Sequence, residues 1–257
     1  MIAGMKIVPV RAFRDNYIWL LVQGRHAAVV DPGDAAPVLA HLRQHDLSIC
    51  GILITHHHSD HIGGVEALLH HQNVPVCAPH NESFSFPHQA VSEGDKILFP
   101  ELETTLDVLD VPGHTALHVA YYGGNSLFCG DTLFGCGCGR IFDGSCEQLF
   151  RSLKRLAALP EKTKIYCAHE YTLANLCFAR MIDPENPALM AREHTDSALI
   201  AQGLPTLPST LALEKATNPF LRCNTQAIQR AALQINPHAA DSEETTFCAI
   251  RELKNRY

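Results

Sequence analysis

The chain has 257 residues, a formal net charge of −7 and 46% hydrophobic residues, which suits one large globular domain or one domain with a smaller helical partner. The acidic balance, with no run of clustered Lys and Arg, argues against a nucleic-acid binder, and no apolar run is long enough to span a bilayer. The ten cysteines are scattered through apolar runs, so Cys50, Cys129, Cys167, Cys177 and Cys248 read as small core residues, free thiols in a reducing cytoplasm. Met1 to Lys6 shows no apolar signal-peptide segment.

The first part of the chain reads as strands. Lys6 to Phe13, Tyr17 to Val22 and Ala27 to Asp31 are rich in Val, Ile and aromatics and are separated by polar or glycine turns. Asp34 is a plausible N-cap for a helix running to Asp46, with Pro37 tolerated in its first turn and Val38, Leu39 and Leu42 facing inward. Cys50 to Ile54 is a buried strand that runs into Thr55-His56-His57-His58-Ser59-Asp60-His61. A helix over Gly64 to His71 and a strand over Val74 to Ala78 follow. From Lys96 to Gly130 the pattern is again β, with strands expected at Thr104–Val111, Leu117–Tyr122 and Ser126–Cys129. Ser145 with Gln148 predicts a capping box on a helix to Leu159, whose inward face is Leu149, Phe150, Leu153 and Leu156. Lys164 to Ala168 is one more strand. Beyond about Asp183, prolines punctuate helical stretches and strand patterns vanish. Two blocks of strands, each followed by helix, predict an αββα sandwich with a helical C-terminal region.

Four imidazoles and a carboxylate in one short run are costly to bury without a partner. His56 and His58 alternate with His57, so in extended backbone both point to one side. Two imidazoles on one face supply nitrogen ligands, while Asp60 and His61, past the turn, reach a second position. Three other strands end on such a residue, each at a turn. They are Gly113-His114-Thr115, Gly130-Asp131-Thr132 and Ala168-His169-Glu170. Alone, His114 or His169 reads as a structural histidine; their recurrence at strand ends turns both into candidate ligands. His56, His58, His114, Asp60, His61, His169 and Asp131 are too many for one metal that keeps an open position. Two metals suit them: three histidines on the first, Asp60, His61 and His169 on the second, and Asp131 bridging. His57 and His118 read as outer neighbours, and Cys136 and Cys138 as ordinary turn cysteines because no second pair sits at zinc-finger spacing.

This ordered set resembles the metallo-β-lactamase superfamily. Within it the chain looks like the glyoxalase II (hydroxyacylglutathione hydrolase) family, through Asp15-Asn16-Tyr17-Ile18-Trp19, Val30-Asp31-Pro32-Gly33, Phe128 to Phe134, Gly137-Cys138-Gly139-Arg140 and Cys167 to Thr172. The resemblance implies a metallo-β-lactamase-fold catalytic domain over residues 1–169 and a helical substrate-binding domain over 170–257. It implies two divalent ions, zinc first, with iron or manganese admitted by the same donors. The reaction implied is hydrolysis of S-D-lactoylglutathione to glutathione and D-lactate, by a cytoplasmic monomer with no nucleic-acid or membrane partner. Asp60 and Asp131 would be catalytic as well as metal ligands. Arg140, Phe142, Tyr171, Arg251 and Lys254 fall at the family's substrate-binding positions. Arg251 and Lys254 lie three apart on the final helix and so project to one side, where two cations suit a carboxylate. A glutathione persulfide dioxygenase of the same superfamily, or a non-catalytic metal-binding protein, is the alternative. The complete second donor set counts against both.

Overall fold

The computed structural model describes residues 5–80 and 84–257. Residues 1–4, which include most of the stretch read above for a signal segment, lie outside the described residues, as do 81–83. Two compact units emerge: residues up to Asp110 with Leu117–Gly130, and Val111–Ala116 with Asp131–Tyr257.

In the first unit, β1 (Lys6–Ala12), β2 (Asn16–Gln23), β3 (His26–Val30), β4 (Ser48–Leu53), β5 (Val76–Pro79) and β6 (Gln89–Val91) form one sheet in chain order. β1 to β3 pair antiparallel and β3 to β6 parallel. The parallel pairs require crossovers. Two of them carry α1 (Ala35–His45) and the pair α2 (Ser59–Ile62) and α3 (Val65–His71). α1 starts where expected, with Asp34 Oδ1 accepting from the Ala36 N–H at 2.9 Å, and it ends at Asp46 in the left-handed region. Val38 and Leu42 of α1 and Val65 and Leu68 of α3 pack on Ile18, Leu20, Val29, Ile52 and Ile54. That is one face of the sheet. Trp19, Leu21, Ala28 and Leu53, one residue out of phase, are buried on the other, which is why β2 to β4 read as near-continuous apolar runs.

β7 (Lys96–Phe99), β8 (Thr104–Asp110), β9 (Val119–Gly123) and β10 (Ser126–Gly130) form an antiparallel meander. It closes over that second face. Tyr121 on β9 donates its hydroxyl to the Ile54 carbonyl at 2.6 Å and lies 3.2 Å from that of Cys77. Burial pushes its phenol well above the ordinary range. The expected stacked sheets are therefore joined through the residue that follows β4, at the start of the histidine run.

The second unit begins with the hairpin β11 (Leu133–Phe134) and β12 (Gly137–Cys138), followed by α4 (Cys146–Ala157) and β13 (Lys164–Cys167). α4 has its capping box, Ser145 and Gln148 each accepting from the other's backbone N–H. Beyond it come α5 (Thr172–Ile182), α6 (Pro187–Ala201), β14 (Ser209–Thr210), α7 (Leu211–Thr217), α8 (Gln226–Ala232) and α9 (Glu243–Arg256). β14 corrects the expectation that strands end before this region: Ser209 and Thr210 pair antiparallel with Ile165 and Lys164. Two residues are too few for a period to be legible in sequence.

Phe150, Phe178, Phe220 and Phe247 pack ring against ring between α4, α5 and α9. Cys248 is not the free core thiol expected from its apolar setting, for it forms a disulfide with Cys146, tying α9 to α4. Cys177 is exposed rather than core, while Cys129 and Cys167 are buried as expected. Among the described residues no helix is long and apolar enough to cross a membrane.

Candidate metal centre

In the first unit the donors follow β4 directly. Asp31 sits at the end of β3 with φ 51°, a conformation that costs a non-glycine residue about 1 kcal/mol or more. Its carboxylate accepts from the Thr55 N–H at 2.8 Å and the Thr55 hydroxyl at 2.7 Å, and lies 3.0 Å from His61 Nδ1. One of these contacts fixes a tautomer. Thr55 Oγ1 donates to Asp31, so at 3.0 Å from His56 Nδ1 it accepts, and His56 carries its proton on Nδ1. The His56 Nε2 atom then presents a lone pair. His56 Nε2 lies 3.1 Å from His58 Nδ1, and His61 Nε2 lies 3.6 Å from Asp60 Oδ2. Asn16 donates its side-chain amide to Asp60 Oδ2 at 3.0 Å. A Cβ on Gly33 would lie 1.8 Å from the Asp60 carbonyl oxygen, so only glycine lets that turn approach. His118 is buried and stacks on His56 at 4.6 Å between ring centroids, while His57 is partly exposed and touches His58 edge-on at 5.1 Å.

In the second unit His114, Asp131 and His169 come together. His114 Nδ1 lies 2.6 Å from the Arg140 carbonyl, which can only accept, so its Nε2 also carries a lone pair. That atom lies 3.5 Å from Asp131 Oδ2. His169 Nε2 lies 3.4 Å from the other oxygen, Oδ1. The Gly139 backbone leaves this room: a Cβ there would lie 2.1 Å from the Asp131 carbonyl oxygen and 3.1 Å from His114 Nδ1.

The His114 Nε2 lone pair and the Asp131 carboxylate, facing one another across 3.5 Å, repel unless a cation lies between them. Two ligands about 2.0–2.1 Å from one ion at a near-tetrahedral angle are themselves about 3.4 Å apart. The donor set fits a dimetal site, and imidazole and carboxylate suit zinc, iron or manganese alike.

The substrate-side candidates all lie in the second unit. Tyr171 is partly exposed and stacks parallel on His169 at 4.7 Å, and exposed Phe142 meets His114 edge-on at 5.2 Å. Arg140 is exposed and Lys254 half-buried. Lys254 donates to the Ala174 carbonyl at 3.2 Å and lies over the Phe178 ring. Arg251 is buried, with Nη1 donating to the Cys138 carbonyl at 3.0 Å and Nη2 to Asn255, and its charge acts on Lys254. Cys136 and Cys138 are buried turn cysteines as expected. Burial pushes the Cys136 thiol up to about 12.

Sequence reasoning left out the roles of Asp31, Thr55 and Asn16, which hold the donors in place. The only local signal was an Asp-Pro-Gly turn at the end of a strand, where a loop carboxylate can face a strand-end histidine.

Residues 11–169 match the metallo-beta-lactamase superfamily, and residues 170–257 match the hydroxyacylglutathione hydrolase C-terminus. The hydroxyacylglutathione hydrolase of Nitrosomonas eutropha is 52% identical over 98% of this chain and 98% of its own. Among solved structures, ETHE1 from Myxococcus xanthus shares the fold, with a TM-score of 0.67 and 24% identity over 97% of this chain and 90% of that one. TTHA1623, solved in a di-iron-bound form, has a TM-score of 0.61 and 27% identity over 83% of this chain and all of that one. Both parts of the chain therefore point the same way, and it belongs to the metallo-β-lactamase superfamily and, within it, to the hydroxyacylglutathione hydrolase family.

Proposed function

We propose that the chain is a binuclear hydrolase that cleaves the thioester of S-D-lactoylglutathione to glutathione and D-lactate, a step in methylglyoxal detoxification. The observation that carries this reading is Asp131, whose two oxygens each face a different histidine Nε2. On this reading His56, His58 and His114 would hold one ion and Asp60, His61 and His169 the other, and Asp131 would be a ligand to both. Zinc is the first choice, and the di-iron form of TTHA1623 supports a pair of ions in this fold. When bound, such ions lower the pKa of a water toward ~7 and polarise a carbonyl oxygen.

The protein's own groups do the rest. Asp31 holds the Thr55 hydroxyl, which keeps the proton of His56 on Nδ1, and its carboxylate lies 3.0 Å from His61 Nδ1. Asn16 donates to Asp60 Oδ2 and so holds the carboxylate in place. A thiolate leaves readily, so no strong general acid is required. Residues 1–169 supply this chemistry, and residues 170–257 bind the substrate together with Arg140 and Phe142. Tyr171 offers its open ring edge to the glutathione chain, and Lys254 its ammonium to a carboxylate. Arg251 adds charge and, through the Cys138 carbonyl, steadies the segment that leads to Arg140. The reading is of a cytoplasmic monomer acting on a small molecule.

Lys254→Ala should raise KM for S-D-lactoylglutathione roughly ten-fold, about 1.4 kcal/mol, with kcat nearly unchanged, because uniform binding is lost. Lys254→Arg should recover most of it. Burial, and then the Arg251 charge, hold the Lys254 ammonium below the ordinary lysine value of 10.5. Its positive charge is lost as pH rises through that lowered value, so KM should begin to climb on the alkaline side before exposed lysines titrate. A fall in kcat at constant KM in Lys254→Ala would refute the anchor. Absence of thioester hydrolysis by the native protein with its metals would refute the activity.

A further inference from the structure

Cys146 and Cys248 stand apart from the metal donors. Their disulfide joins the first turn of α4 to the middle of α9 across a sequence separation of 102 residues, with Cα atoms 5.8 Å apart. Both residues are partly exposed. Most of the remaining cysteines are buried, and burial pushes Cys77, like half-buried Cys50, up to about 11. Such thiols stay protonated and inert at neutral pH.

A cavity of about 180 Å³ opens against Cys248, lined also by Glu147, Asn236, Glu244, Thr245 and Glu252. Cys146 is not among its lining residues, so the cavity opens on the Cys248 side of the bond. The two sulfurs also differ as leaving groups. Cys146 is the first residue of α4 after its N-cap, Ser145. There the helix dipole favours a thiolate. Cys248 lies mid-helix on α9 and has no such support. Thiol–disulfide exchange is fastest when the accessible sulfur is attacked and the sulfur of lower pKa departs. Here access and leaving-group quality select the same direction.

We propose that the Cys146–Cys248 disulfide is a thiol-exchange site for small thiols, entered from the cavity at Cys248. A thiol gives up its proton and attacks Cys248 Sγ, a new S–S bond forms, the Cys146–Cys248 bond breaks, and the electron pair leaves on Cys146 Sγ. A second thiol attacking the mixed disulfide releases the small-molecule disulfide and leaves Cys146 and Cys248 reduced, so two thiols are oxidised for one disulfide reduced. The exchange stands on the geometry alone; glutathione as its thiol rests on the reaction proposed above, which releases it. Reduction would remove the covalent tie between α4 and the helix that carries Arg251 and Lys254.

The test uses the native, disulfide-bonded full chain and reduced glutathione without denaturant, quenched in acid at short times, alkylated and mapped by peptide mass. Early samples should carry glutathione on Cys248 and the alkyl group on Cys146, with the adduct at least ten-fold more abundant on Cys248. Longer incubation with excess glutathione should give both cysteines alkylated. Adduct equally or mainly on Cys146, or no exchange until the chain is unfolded, would overturn the proposal. Neither readout depends on thioester hydrolysis, so the exchange can fail or succeed independently of the proposed activity.

Discussion

Asp131→Ala should lose one or both metal ions and nearly all turnover. The substitution deletes the two oxygens that face His114 Nε2 and His169 Nε2 at 3.5 and 3.4 Å, so both proposed ions lose a ligand at once. The fall in kcat should exceed the roughly 10²–10³-fold that loss of a single charge-stabilising group costs. Asp131→Asn keeps the shape and one carbonyl oxygen. It should hold more metal than the alanine variant while still losing most activity, since a neutral amide oxygen is a far weaker ligand and its nitrogen none. Metal content per chain and kcat are the measurements, with thermal unfolding as a check that the chain still folds. Near-native activity on a single ion would contradict a bridging carboxylate.

The second large effect lies away from the metal donors. Arg192→Ala should destabilise the protein by about 3–5 kcal/mol, the cost of leaving buried charge uncompensated. Arg192 lies among Asp196 at 3.1 Å, Glu214 at 2.7 Å and the Thr217 hydroxyl at 2.7 Å, all buried. Burial alone would lower the pKa of Arg192, but the charge and hydrogen bond of Glu214 raise it, so the guanidinium stays charged. Glu214 in turn accepts from the Cys136 N–H at 2.8 Å and from Asn218 at 3.1 Å. Asn218 donates to the Gly137 carbonyl at 2.9 Å. The network thus holds the β11–β12 hairpin that follows Asp131.

Denaturant unfolding measures the loss directly, and a shift in Tm of order 10 °C should accompany it. Burial already raises the Asp196 pKa above its ordinary value, with Arg192 opposing. Without Arg192 it rises further. A carboxyl whose folded pKa lies above its unfolded value destabilises the fold once pH passes the unfolded value. The deficit of the variant should therefore narrow as pH is lowered into the acid range. A change in unfolding free energy below about 1 kcal/mol, the range of exposed pairs, would show that the network contributes little.

Much of the first unit was legible because its signals are local. Alternation and apolar runs gave the strands, Asp34 and Ser145–Gln148 gave helix starts that the structure keeps, and the donors are residue types that rarely gather without a metal. What escaped is non-local. Arg192, Asp196 and Glu214 carry no local mark of burial in the sequence, and only the fold turns them inward. The burial of Arg251 comes from the carbonyls of the Gly-Cys-Gly turn, far away in sequence, that accept from its guanidinium. Cys146 and Cys248 are separated by 102 residues, and spacing alone pairs no cysteines among ten. β14 gains its strand character only from the edge of β13.

Metal analysis of the purified native protein, paired in one preparation with an assay on S-D-lactoylglutathione, tests the binuclear account most directly. Two ions per chain with hydrolysis to glutathione and D-lactate is the expected result. One iron per chain, with oxygen uptake on glutathione persulfide and no thioester hydrolysis, would contradict it.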